Sequence, residues 1–357
     1  MNEKNLLMTE DSKIVLIGGR SCPNLLASLA EELHIKPFSI KLEKFANSEI
    51  NVEFLESVRG KNVYILQTGQ AIYEQSVNDY LIELLLIISG CKKSDANSIN
   101  VIIPHLPYAR SDKKDHRGPI GAKTIIDLIV TSGANRIISV DLHSGQLTGF
   151  TGSPIDNLYC LDILSDHLSS IIVTESSSLE EYVLVSPDLG GVKRIEAYAR
   201  KLNLPYVILH KQRDYSKMNT VINSMIIGEN KILENKIAII IDDMIDTCST
   251  MIKGIMELKT TGKIKSAIVV ATHGIFSSHA IELINSCEII TSVIVTDSLN
   301  QEINLEKCPK LQVISLVPLL YQVIKILTEG GSLSALFEKK LPKRIISMEN
   351  LYKSINL

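Results

Sequence analysis

The sequence predicts an α/β protein made of two similar domains built on parallel sheets. Three observations predict it. The chain has 357 residues, more than one core usually organises. Short β-branched runs recur along it with segments of helical length between them, the pattern of parallel strands joined by crossover helices. The two halves also echo each other. "RIISVDLHSG" and "SAIVVATHG" each end a strand with His and then small residues, and each follows a helix-like segment closed by a Gly turn, "TSGAN" and "TTGKI". The chain therefore divides near residues 150–160.

Taken in order, the first-half strands are "KIVLIGG" (13–19), "NVYILQ" (62–67), "INVIIP" (99–104) and "RIISVDLH" (136–143). Those of the second half are "YVLVSP" (182–187), "PYVIL" (205–209), "KIAIIID" (236–242), "KSAIVVATHG" (265–274) and "ITSVIVTD" (290–297). Unbroken apolar runs of this length suit strands covered on both faces. The polar patch "TESSSLEE" (174–181) reads as a surface loop, and "EKKLPKRIISMENLYKSINL" at the end, basic at its start, reads as an appended helix or arm.

Bulk composition narrows the function. Hydrophobic residues make up 45% and charged residues 22%, with a formal net charge of -3. Overall charge thus gives no support to a nucleic-acid partner, and small anions would need local basic clusters. Six cysteines contain no CxxC pair and suit buried, reduced thiols. The opening "MNEKNLLMTEDSK" is polar and carries acids, unlike a signal peptide. The longest apolar stretches, such as "YLIELLLIIS", fall short of the ~18 residues of a membrane span. A soluble, cytoplasmic protein is expected.

In open α/β sheets ligands bind beyond the carboxyl ends of the strands, so the residues after each run carry the chemistry. After "YVLVSP", Gly190 and Gly191 let the backbone turn tightly and present N–H groups to an anion, with Asp188 just ahead as a metal ligand or as part of an ordinary turn. His143, after "RIISVD", suits a structural cap, a metal ligand or a phosphate donor. After "VIIP" comes a loop with Arg110, Lys113, Lys114, His116, Arg117 and Lys123, a basic lid for a polyphosphate or a solvated mixed-charge loop. Lys211 and Arg213 stand two apart, so on extended backbone they point the same way. In "IDDMIDTCST" (241–250), Asp242 and Asp243 can hold sugar hydroxyls or a hydrated Mg²⁺. The small polar residues after them can wrap a phosphate at a helix start. A capped helix would explain Asp246 or Thr247 but not the adjacent pair.

"YARSDKKD", "DLHSGQLTGF", "DNLY", "SPDLGGVKR", "IDDMIDTCST" and "ATHG", in this order, resemble ribose-phosphate diphosphokinase, the phosphoribosyl pyrophosphate synthetase family. "KFANSEINVEFLESVRGKNVYILQ" and "VTDSL…VISLVPLL" match as well, and the resemblance covers residues 13–337. It implies two phosphoribosyltransferase-like, Rossmann-type domains, 13–155 and 156–337, with a tail at 338–357. It also implies Mg²⁺-dependent transfer of the diphosphoryl group of ATP to ribose 5-phosphate, giving phosphoribosyl pyrophosphate and AMP for nucleotide biosynthesis. By position, Asp242 and Asp243 would take the sugar hydroxyls, and Asp246, Thr247, Cys248, Ser249 and Thr250 the 5-phosphate. Asp188, Gly190 and Gly191 would form the diphosphate loop, with His143 and Asp188 near the metal. Arg110 would contact ATP, and Lys211 and Arg213 would be catalytic. Phe45, Asn47 and Glu49 match the adenine-pocket segment that a neighbouring subunit supplies in the family's hexamers, and Ser57 and Arg59 part of its regulatory phosphate site. A homo-oligomer with shared ATP sites is the implied assembly.

Some positions depart from the family pattern. Ser249 replaces Gly in the phosphate loop; if that position needs φ > 0, Ser weakens ribose 5-phosphate binding and Ser249→Gly restores it. Ser111 replaces Gln after the loop Arg, and Gln212 replaces the Arg between Lys211 and Arg213. "DHRGP" is shorter than the usual segment, and a short insertion comes after Arg213. These departures leave open a family-like subunit with weak or no activity that regulates or scaffolds an active synthetase. A phosphoribosyltransferase that consumes the product would leave Phe45, Arg110 and His143 unexplained.

Overall fold

A computed structural model describes residues 14–114, 116–175, 178–213, 221–227, 232–334, 336, 341–342 and 344–346, with backbone alone at 175, 210–213 and 221–226. The first half runs β1 (Ile14–Gly18), α1 (Pro23–Leu33), β2 (Ile40–Lys44), β3 (Ile50–Phe54), β4 (Asn62–Leu66), α2 (Val77–Lys93), β5 (Ser98–Ile103), α3 (Gly121–Ser132), β6 (Arg136–Val140), β7 (Ile155–Leu158) and α4 (Leu161–Glu175). The second half continues with β8 (Tyr182–Ser186), α5 (Val192–Leu202), β9 (Tyr206–Arg213), β10 (Val221–Ile227), β11 (Ile237–Ile245), α6 (Ser249–Thr260), β12 (Ser266–Gly274) and α7 (Ala280–Ser286). It closes with β13 (Ile290–Thr296), α8 (Glu302–Lys307), β14 (Leu311–Ile314), α9 (Val317–Glu329) and β15 (Ile345–Ile346).

Local chemistry sets the element ends. Pro23 opens α1, where its missing N–H costs nothing, and His34 closes it at φ 54°. A reciprocal Ser76–Asp79 box starts α2, and Lys92 and Lys93 end it, matching both poles of the helix dipole. Within β4, Val63, Tyr64, Ile65 and Leu66 are all buried, as expected of a strand covered on both faces.

The first sheet is parallel throughout and keeps chain order, β1-β4-β5-β6-β7. The second has the order β10-β9-β8-β11-β12-β13-β14-β15, parallel except for its outer strands β10 and β15. Chain order reverses between β8 and β11: β9 lies on one side of β8 and β11 on the other. That reversal opens a crevice beyond the strands' carboxyl ends.

Every run expected to be a strand is one, and the class is α/β with parallel sheets. Strands β2, β3, β7, β10, β14 and β15 are additions. β2 and β3 pair only with each other, antiparallel, from Ile40↔Phe54 to Lys44↔Ile50. β7, "IDNL", is short and half polar, so periodicity misses it, and it runs across the division expected at 155/156. Of the tail, Ile345–Ile346 pairs with β14; residues 347–357 lie outside the described residues. One core spans both halves: Leu25, Leu29 and Leu33 of α1 share it with Leu319, Leu320 and Val323 of α9.

Candidate active site

The turn after β8 and the last part of β11 line the crevice. After β8, Leu189–Gly191 forms a single 3-10 turn, and Asp188 caps it by accepting from the Gly191 N–H at 3.0 Å. A Cβ at Gly191 would stand 2.5 Å from Ser186 Oγ and push that hydroxyl off its bond to the Asp188 carbonyl. β11 pairs with β8 only as far as Ile240↔Val185, but with β12 up to Ile245↔Gly274. Asp242 and Asp243 therefore lie inside the strand rather than past its end, on a stretch that has left its β8 neighbour; Asp242 is half-buried, Asp243 is buried, and neither lines either of the two cavities described below.

The paired acids are held from two directions. His143, just past β6 in the first half, joins Asp243 Oδ2 through Nδ1 at 2.7 Å. Arg194, in the first turn of α5, places Nη1 3.4 Å from Asp242 Oδ1 and 3.6 Å from Asp243 Oδ1. The Asp243 amide donates to Asp242 Oδ1 at 2.8 Å. Burial pushes the Asp243 carboxyl up, but hydrogen bonds from His143 and Asp242 together with Arg194 outweigh it, and the group stays below the usual carboxylate range. Asp242 moves the other way, raised by burial and by its charged neighbour. His143 is raised by its hydrogen bond to Asp243.

Asp141, two residues before His143, is buried in the same wall. It takes a φ of 38°, strained for a residue with a side chain. Its Oδ2 accepts from the Thr272 hydroxyl at 2.6 Å and the Cys160 amide at 3.0 Å, and burial raises its carboxyl. Asp141, His143, Gly190, Lys193, Arg194 and Thr272 line a cavity of ≈ 800 Å³. A second cavity, ≈ 610 Å³, lies between the halves and is lined by Arg110, Asp246 and Phe276 among others. Arg110 crosses to the second half, where it bonds Asp246 Oδ2 at 2.5 Å and Met244 Sδ at 2.8 Å.

The residues expected to hold a phosphate form the junction from β11 to α6. Cys248 takes φ 64° as the residue before the helix, and α6 begins at Ser249. The left-handed position is thus Cys248, and Ser249 does not need φ > 0. Thr247, Ser249 and Thr250 are exposed and open to a ligand, while Cys248 is buried. Neither Asp246 nor Thr247 caps the helix by its side chain.

Other expected residues lie apart. Phe45, Asn47 and Glu49 form the tip of the β2–β3 hairpin, closed by the Phe45 amide donating to the Glu49 carbonyl at 2.8 Å. Phe45 is 56% exposed, and none of the three lines either cavity. Ser57 and Arg59 meet in a surface turn, the Arg59 amide donating to Ser57 Oγ at 3.3 Å, with Arg59 beside Asp95. Lys211 and Arg213 occupy alternate positions at the end of β9, opposite Ser224 and Val221; their side chains, and residues 214–220, where the short insertion is expected, lie outside the described residues.

Sequence reasoning passes over Arg194, Asp141, Lys193 and Thr272. Arg194 stands inside "SPDLGGVKR", and the signal available is a cation in a first helical turn that has no acid, where the helix dipole disfavours it.

Among the described residues no three His, Cys, Asp or Glu side chains gather as a preformed metal cage. The donors present are His143, whose Nδ1 is taken by Asp243, and Asp188, whose Oδ1 is taken by Gly191. Each keeps one atom to offer. The one free carboxylate oxygen of Asp188 fits Mg²⁺, which keeps several waters and is usually shared between one or two carboxylates and substrate phosphates, with the His143 nitrogen beside it.

Comparison with known proteins gives one consistent answer. Residues 14–133 match the N-terminal domain of ribose phosphate pyrophosphokinase, and residues 226–338 match the phosphoribosyl synthetase-associated domain. A ribose-phosphate pyrophosphokinase of Corynebacterium glutamicum is 39% identical over 340 residues, 94% of this chain and 97% of that protein. Ribose-phosphate pyrophosphokinase 4 of Saccharomyces cerevisiae is 37% identical over 327 residues, 91% of this chain and 95% of that protein. The crystal structure of phosphoribosylpyrophosphate synthetase from Mycobacterium smegmatis superposes with a TM-score of 0.80 at 35% identity, over 89% of this chain and 99% of that chain.

Proposed function

The chain belongs to the ribose-phosphate pyrophosphokinase family, and on that premise we propose how it carries out the reaction: transfer of the diphosphoryl group of ATP to the C1 hydroxyl of ribose 5-phosphate, giving phosphoribosyl pyrophosphate and AMP. The observation that carries the assignment is the 2.7 Å bond between His143 of the first half and Asp243 of the second. It joins the motif read as the ATP and metal side to the motif read as the sugar side within one crevice. A transferase that only consumed the product would need no first-half residue there.

Asp242 and Asp243 accept from the ribose hydroxyls, and the exposed Thr247, Ser249 and Thr250 wrap the 5-phosphate at the start of α6, where free N–H groups favour an anion. Gly190 and Gly191 leave room for the diphosphate at the turn after β8. Arg110 leaves Asp246 to meet the ATP phosphates; the exchange is cheap, because a half-exposed ion pair is worth only about 0–1 kcal/mol. Lys211 and Arg213 neutralise the charge of the transferring group. Mg²⁺, held by Asp188 and His143, would neutralise the phosphate oxygens and orient them for in-line displacement. Transfer of this kind depends on position and charge more than on covalent help.

The exposed Phe45 at the hairpin tip, which lines neither cavity, supports an adenine pocket completed by a neighbouring subunit in a homohexamer. Ser57 and Arg59 would bind a regulatory phosphate. Six unpaired, buried cysteines support a reducing, cytoplasmic location, and no helix among the described residues is long and apolar enough to cross a membrane.

The test is direct. Purified protein given Mg²⁺, ATP and ribose 5-phosphate should form AMP and phosphoribosyl pyrophosphate in equal amounts. Release of ADP, or absence of both products over a range of phosphate and Mg²⁺ concentrations, would overturn the assignment.

A further inference from the structure

Arg194 is out of place by the rules of its own helix. It sits in the first turn of α5, at the positive end of the helix dipole, with no acid in that turn; a cation there costs about 0.3–1 kcal/mol. Helix stability therefore does not account for it. What it gains lies across the crevice. One nitrogen, Nη1, stands 3.4 Å from Asp242 Oδ1 and 3.6 Å from Asp243 Oδ1. His143 touches Asp243 alone, through Oδ2. Among the described residues Arg194 is the one cation paired with both acids.

The distances carry information. Both exceed a tight charge-assisted hydrogen bond, so Arg194 supplies charge without closing over the oxygens, and lone pairs stay free to accept. When both acids are ionised they repel, by about 4 kcal/mol for unit charges ~4 Å apart at an effective dielectric of ~20, and that repulsion is part of what raises the Asp242 carboxyl. Without a cation between them the two side chains relieve that repulsion by turning apart, and a diol no longer finds two aligned acceptors. Arg194 is only 26% exposed, so solvent screens it weakly.

We propose that Arg194 is a positioning residue for sugar binding, which holds the Asp242 and Asp243 carboxylates side by side so that both face the ribose hydroxyls. This rests on the reading of those two aspartates as the sugar acceptors. Arg194 acts on the substrate through them.

Steady-state kinetics of the full-length protein test it, with wild type, Arg194→Met and Arg194→Lys compared and folding checked by circular dichroism. Arg194→Met should raise KM for ribose 5-phosphate about tenfold or more, the loss of one charge-assisted contact, and leave kcat and the KM for ATP nearly unchanged. Arg194→Lys should recover most of the loss, because a single nitrogen serves both acids and a point charge suffices. A rise in KM for ATP would instead place Arg194 on the nucleotide phosphates and overturn the proposal. So would a fall in kcat alone, an unchanged KM, or a Lys variant no better than Met. If Arg194→Met does not fold, Arg194→Gln takes its place with the same expectations. Absence of turnover in the wild type would count against the reaction itself, not against Arg194.

Discussion

Asp297 shows how a single buried acid sets a pH response. It comes directly after β13 and is 8% exposed. Its oxygens accept from the Leu316 amide at 2.6 Å and the Ser315 hydroxyl at 2.9 Å, at the start of α9. Burial nonetheless dominates these bonds, and the carboxyl is pushed up to about 6. An acid raised on folding favours the native state while it stays protonated. Its contribution is full below the unfolded value near 4 and fades as pH rises through about 6. The change between pH 4 and 7 is on the order of 2–3 kcal/mol. Asp297→Asn keeps an acceptor but cannot ionise. Urea midpoints of both proteins across that range should therefore show the wild type losing stability relative to the variant as pH rises. A difference that does not vary with pH would show that the native carboxylate is not penalised.

The junction between β11 and α6 is where an element corrects a residue-by-residue expectation. Position 249 reads from the sequence as a site of strain. The helix starts there, so Ser249 is in an ordinary helical conformation and the left-handed residue is Cys248 at φ 64°. Ser249→Gly therefore relieves no strain, removes a hydroxyl that can donate to phosphate, and loosens the first turn by roughly 0.5–1 kcal/mol. Its KM for ribose 5-phosphate should stay level or rise; a clear fall would mean that the backbone approaches the phosphate closely at 249. The same scale explains what the sequence disclosed. Strands covered on both faces were legible because "IAIII" and "AIVVA" are unbroken. "IKLEK", with alternating exposure, "INVEF", exposed at Glu53 and half-buried elsewhere, and "IDNL", with two polar residues in four, were not. Asp242, Asp243 and His143 were legible as chemistry toward the carboxyl ends of strands, although β11 runs on past both acids. Arg194 was not, because nothing in "GGVKR" says which strand the first turn of α5 will face.

At the scale of the whole molecule, the two halves are joined by a seam of buried polar bonds as well as by a common core. Thr68 Oγ1 donates to the Ser298 carbonyl at 2.6 Å. His273 spans Ser298 Oγ at 2.9 Å and the Val140 carbonyl at 3.0 Å. Burial and its neighbour His105 push that ring down to about 3, so it stays neutral, one nitrogen donating and the other accepting. The Asn300 amide donates to Gln70 at 2.7 Å. Opening the seam would exchange these bonds for bonds to water, at a net cost of about 0.5–1.5 kcal/mol each, and would strip α9 from α1. Neither half should then persist alone, and the crevice between them is held by the stability of the whole chain. The chain has no Trp, so Tyr159→Trp and Tyr206→Trp, both at exposed positions, give one reporter in each half. Their fluorescence transitions in urea should coincide with each other and with the loss of helix signal. Two separated midpoints would show that the halves unfold independently and that the His143–Asp243 bond is made by docking of two stable bodies.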